Sequence, residues 1–190
     1  MATTDPTDIL LRHDAWATRT VLHLCEKLTR EQFHQKFPIG LGSLHENLTH
    51  IISATRRWTD RLAGRTPRPM LHSVPKYPHI PTEAMDRTPA ELLKLLDVAE
   101  RDLAATVQAS RASHFADTVH LDWPGEDGTK KRYTFTHGAV IVHICTHAMH
   151  HRAQCLNMLK HLSVPGVSDK LPDPSVTDWV AEVETPAVVV

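Results

Sequence analysis

The stretch that decides the fold is Val142-His143-Ile144-Cys145-Thr146-His147-Ala148-Met149-His150-His151-Arg152-Ala153-Gln154, with four histidines and neither glycine nor proline. On a wheel of about 100° per residue with Ile144 as origin, Val140, Ala148, Cys155, Met158 and Leu159 fall within roughly 60° of it. His151 lies near the middle of that apolar arc and His147 at its edge. His143 and His150 fall further round, toward the flank. The period is helical, and it predicts a long helix opening at Thr136 and ending near Leu162 with His147 and His151 facing the core.

Two histidines four positions apart stand roughly 5–6 Å from each other at Cβ, close enough to share one metal ion. A buried imidazole needs a partner for each ring nitrogen, and a metal supplies one. The competing reading is a pair of core histidines hydrogen-bonded to neighbours. A third ligand would come from a facing helix about 8–10 Å away. The second long helix offers His45 and His50, but both lie about 90–125° from the centre of its apolar stripe. Periodicity does not choose between them.

Working outward, three more helices are expected. The first runs from about Pro6 to Lys27, with Leu10, Ala17, Val21, Leu24 and Leu28 as its stripe and Asp14 as the break in it. Thr29-Arg30-Glu31-Gln32 reads as the start of a short extra turn. The second long helix opens at Ser43 with Glu46 completing a capping box, carries Leu44, Leu48, Ile51, Thr55, Trp58 and Leu62, and closes at Gly64. Residues 65–87 hold five of the 13 prolines and read as a crossover with little regular structure. The third long helix opens with Thr88-Pro89-Ala90-Glu91 and carries Leu92, Leu93, Leu95, Leu96, Val98, Leu103 and Val107 to about Ala112. Between His114 and Phe135 the period becomes two. Thr118 to Trp123 and Arg132 to Phe135 alternate around Pro124-Gly125-Glu126-Asp127-Gly128, which predicts a β-hairpin. Beyond residue 162 at most a short helix is expected, around Thr177 to Val183. The expected architecture is an all-α four-helix bundle with a small β-hairpin before the last long helix. It forms one domain over 1–190, with its core at about 8–162 and a C-terminal extension at 163–190.

The chain has 190 residues and a formal net charge of -1, which offers no basic footprint for nucleic acid or an anionic membrane. Apolar runs are far too short to span a bilayer, and MATTDPTD lacks the basic and apolar parts of a signal peptide, so a cytoplasmic location is expected. Cys25, Cys145 and Cys155 lie in helical patterns without metal-ribbon spacing and read as reduced thiols packed as small hydrophobes. The unusual figure is 15 histidines against 2 tyrosines, spread along the chain and not gathered in a tag.

Three stretches carry a resemblance. Leu10-Leu11-Arg12-His13-Asp14-Ala15-Trp16-Ala17 resembles the opening segment of the DinB/YfiT-like proteins. Gly42-Ser43-Leu44-His45-Glu46-Asn47-Leu48-Thr49-His50-Ile51, continued by Trp58 to Gly64, resembles their second-helix motif. His147-Ala148-Met149-His150-His151-Arg152-Ala153-Gln154 resembles their HxxxHRxQ segment. The resemblance covers roughly residues 8–162. Two departures stand out: His13-Asp14 replaces an aromatic–Asn pair, and Ala153 replaces a glycine.

Carried over residue by residue, the resemblance implies a metal site of His50, His147 and His151, an up-down-down-up bundle and a homodimer. Zinc or nickel is the implied ion. Three imidazoles leave an open coordination position, as in catalytic centres. The resemblance implies a metal-dependent enzyme: a thiol-dependent transferase or isomerase that uses a low-molecular-weight thiol on a small electrophile. Two other readings stand beside it. One is a non-catalytic metal-binding stress-response protein. The other is a metal-dependent hydrolase, which needs a carboxylate base such as Glu46 or Asp14. Arg152 is the candidate functional residue outside the ligand set, with a surface salt bridge as its alternative. Gln154 reads as structural, and His45, His143 and His150 as outer or solvent-facing groups. Trp16 and Trp58 read as core or interface packing.

Overall fold

The computed structural model describes residues 5–73, 80–124 and 129–184. Helix α1 spans Pro6–Cys25, α2 Arg30–His34, α3 Leu44–Leu62, α4 Pro89–Ser110, α5 His137–Leu162 and α6 Val176–Trp179. Strands β1 (Thr118–Pro124) and β2 (Lys130–Thr136) pair antiparallel, Thr118 opposite Thr136, as the alternating pattern predicts. The expected turn residues 125–128 and the last residues, 185–190, lie outside the described residues. The described chain is thus mostly helical with one small sheet. Among the described residues no helix is long and apolar enough to cross a membrane.

The caps explain why the helices begin where they do. Asp5 accepts from the amides of Thr7 and Asp8 ahead of α1, with Pro6 in the first turn, where its missing N–H costs nothing. Thr29 and Gln32 close a capping box on α2, and Thr88 and Glu91 close another on α4. Thr136 caps α5 through the amide of Ala139. At α3 the expected box is only half made. Ser43 Oγ accepts from the Glu46 amide, but the Glu46 carboxylate pairs with Lys36 and accepts from the Ser43 hydroxyl, so it never reaches back to the Ser43 amide. Gly64, at φ +67°, takes the left-handed position that ends α3.

Helices α1 and α3 each pack against both α4 and α5. Leu22, Leu44, Leu48, Ile52, Leu92, Met158 and Leu159 form one apolar core, and Leu62, Leu103, Val107, Val140 and Ile144 form a second. Val98, expected in the α4 stripe, is 49% exposed; the buried face runs through Leu92, Leu96, Ala99, Leu103 and Val107 instead. Cys25, Cys145 and Cys155 are free and buried.

Two irregular segments are tied to this frame. In the connection after α3, the Met70 amide donates to Pro81 O at 2.8 Å, and the amide of buried Leu71 donates to Ser53 Oγ on α3 at 3.1 Å. After α5, buried Trp179 lies against His13, whose Nε2 is 2.9 Å from Pro174 O. Residue 13 is thus a polar anchor for the C-terminal segment.

Candidate metal centre

His50 sits in the second turn of α3; His147 and His151 are one turn apart on α5. One ring nitrogen from each of the three lies within 4.8 Å of the others. His50 Nε2 and His147 Nε2 are 3.0 Å apart, and the His151 ring lies 4.7 Å and 4.6 Å from the His50 and His147 rings between centroids. Two imidazole nitrogens on one tetrahedral ion, each about 2.0–2.1 Å from it, stand roughly 3.3 Å apart. The cluster has the scale of a shared ion.

Hydrogen bonds set the tautomers. Asn47 Nδ2 donates to Ser43 O at 2.8 Å, which turns Asn47 Oδ1 toward His151 Nδ1 at 2.9 Å. Gln154 Oε1 also lies 2.9 Å from that nitrogen, while its amide nitrogen faces His150 Nε2 at 2.8 Å. Carbonyl oxygens only accept, so the His151 ring proton is on Nδ1 and Nε2 presents a lone pair. His50 Nδ1 lies 3.1 Å from Nε2 of His72, on the connection after α3. A proton donated from His50 Nδ1 to His72 leaves His50 Nε2 as an acceptor too. Neither Asn47 nor His72 was singled out from the sequence.

Electrostatics favour neutral rings. Burial, then the neighbouring imidazoles, pulls His50 down to about 3 and His147 down to about 4. His151 is lowered by burial against the opposing pull of Gln154. Neutral imidazole is the form that ligates a metal.

His50 and His147 open onto a cavity of about 1030 Å³ that Trp58, Arg57, Arg61 and His72 also line. Trp58 therefore forms part of a cavity wall as well as packing on the second core. A second group that can hold an ion, His34, His45 and Asp86, lines the same cavity nearer α2. Its two rings stack 25° from parallel at 4.4 Å, and Asp86 already accepts from Arg30. Stacked rings aim their lone pairs side by side, so this group reads as a surface ion-pair cluster. The two histidines that periodicity could not separate thus part: His50 joins α5, and His45 joins α2.

The remaining candidates fall away from the cluster. Arg152 is buried at 4% exposure, with its Nη1 paired to Asp14 and donating to Thr18 Oγ1 at 2.9 Å on α1. Its alternative reading as a surface salt bridge gives way to a buried ion pair. Asp14 is enclosed too; burial pushes its carboxyl up while Arg152 pulls it down. Glu46 is held by Lys36 and Ser43. His143 and His150 are exposed.

A model of the DinB family matches residues 1–174, and those residues include all three histidines and the ends of every long helix. The chain belongs to the DinB family. Among curated proteins no relative matches it. The DinB match runs past α5 to Pro174, the carbonyl that His13 holds.

Proposed function

We propose that this DinB-family chain is a metal-dependent enzyme whose single divalent ion, zinc or nickel, is held by His50, His147 and His151. The observation that carries the reading is the convergence of three neutral ring nitrogens from α3 and α5, with the His151 tautomer fixed by Asn47. An ion there would supply Lewis acidity and favour the deprotonated form of a bound thiol or water. The protein's own part is to hold the three rings neutral, to brace them from Asn47, Gln154 and His72, and to offer a cavity for a small molecule. Arg152 acts at a distance, clamping α5 to α1 through Asp14.

The reaction class proposed is transfer or isomerisation that uses a low-molecular-weight thiol on a small electrophile. The cavity beside the cluster supports a small-molecule substrate over a purely structural ion, which is the non-catalytic stress-protein alternative. Both carboxylates considered as a hydrolytic base, Glu46 and Asp14, are engaged elsewhere, which favours thiol transfer over hydrolysis. The architecture proposed is one domain over 1–190, with its bundle core at about 8–162 and an extension at 163–190. It is an up-down-down-up four-helix bundle; the packing of α1 and α3 each on both α4 and α5 supports the grouping of four helices. The protein is proposed to work in the cytoplasm as a homodimer.

Zinc-loaded protein mixed with cysteine methyl ester and chlorodinitrobenzene tests the reaction. The thiol loses its proton, an S–C bond forms and chloride leaves. Thioether formation above the rate without protein, lost in His50→Ala, is expected. No acceleration with any small thiol would contradict the enzymatic reading.

A further inference from the structure

Arg57 and Arg61 have no carboxylate hydrogen-bond partner among the described residues, whereas Arg65 and Arg68 beside them and Arg152 on α5 are paired with carboxylates. Arg57 donates to the Arg68 carbonyl, and Arg61 donates to the Arg57 carbonyl at 3.0 Å with its guanidinium 5.0 Å over the Trp58 ring. Among the described residues, most of the five N–H donors on each head have no acceptor. The nearest acid, Asp60, favours both charges through space but spends its oxygens on other donors. Asp60 Oδ1 accepts from Arg65 at 3.1 Å, and its Oδ2 accepts from the Arg68 amide and side chain at 2.9 Å. Burial lowers both guanidiniums, Arg61 to about 10, yet both stay charged at neutral pH. Two partly desolvated like charges on neighbouring turns are costly unless an anion joins them.

Their position says which anion. Both line the cavity that His50 and His147 open onto. Along α3 they follow His50 by seven and eleven positions, which returns each within about 20° of the His50 direction. The three form one stripe, with the arginines roughly 10 Å and 16 Å along the axis from His50. Apolar Ala54, Met70 and the Trp58 ring line the same cavity.

We propose that Arg57 and Arg61 form the acid-binding end of the cavity. They would take the carboxylate or phosphate of an elongated, partly apolar small molecule whose other end lies at the three histidines. The far end of that molecule rests on the metal reading above; the acid end does not.

Isothermal titration of metal-free protein with octanoate, octyl phosphate and octanol tests the proposal. At least one acid is expected to bind more tightly than octanol, and the tighter of the two names the anion. Arg57→Gln/Arg61→Gln is expected to weaken that acid about tenfold or more and leave octanol unchanged, which also shows that the cavity is intact. Arg57→Lys/Arg61→Lys, which keeps charge without the planar fork, is expected to fall between. Octanol binding as tightly as both acids, or undiminished acid binding by the glutamine variant, overturns the proposal. Zinc titrated into the same glutamine variant should bind as in the wild type. Zinc failing everywhere while acid binding stands would remove the metal reading alone.

Discussion

Asn47 Oδ1 lies 2.9 Å from His151 Nδ1, a single buried hydrogen bond that joins α3 to α5 beside the three-histidine cluster. Both helices that supply ligands are thereby locked in register, and the one proton on His151 is held away from the cluster. Asn47→Ala should therefore weaken zinc binding about 10–100-fold without removing any ligand. Competition against a chromophoric chelator measures it; unchanged affinity would show that Gln154 alone sets the ring.

The Asp14–Arg152 pair makes a separate prediction about stability. Its two members sit 138 positions apart and are enclosed between α1 and α5. Removing one partner leaves a buried charge, so Asp14→Ala should cost about 3–5 kcal/mol in urea unfolding. A loss below about 1 kcal/mol would mean that water reaches Arg152.

Acid should destabilise the metal-free protein early. In the unfolded chain His50 and His147 protonate near 6.5, whereas in the fold they resist until about 3 and about 4. Unfolding therefore takes up protons. The stability these two rings contribute is full above pH 6.5 and is lost as pH falls toward 4. The urea midpoint should drop between about pH 7.5 and about pH 5. A flat midpoint would place the two rings in water.

The proposed homodimer also has a specific test. Val142 and Met149, 53% and 55% exposed, lie within about 20° of each other on the outer face of α5. Met149→Glu should convert a sedimenting dimer to monomer. A wild-type protein that sediments as a monomer contradicts the dimer.

What the sequence disclosed follows from the range of the forces involved. Capping residues act within one turn, so Thr29, Thr88, Thr136 and Gly64 marked their helix ends from local sequence. His147 and His151 were legible because one helix carries both. His50 was not separable from His45 by periodicity, since α3 meets α5 on one side and the α2 segment on the other. Both flanks hold histidines. His72 was invisible because the proline-rich connection has no period, and only its hydrogen bonds back to α3 bring it to His50. Asp14 read as a gap in an apolar stripe because its partner lies on the last long helix. The histidine in place of an aromatic at position 13 makes sense only with Pro174 beside it.

His50, His147 and His151 are proposed to hold one metal ion. Elemental analysis of protein purified without metal resin, then dialysed against zinc, tests it most directly when repeated on His147→Ala. About one equivalent of zinc per chain is expected in the wild type, with most of it lost in the variant. Full occupancy retained by His147→Ala would contradict it.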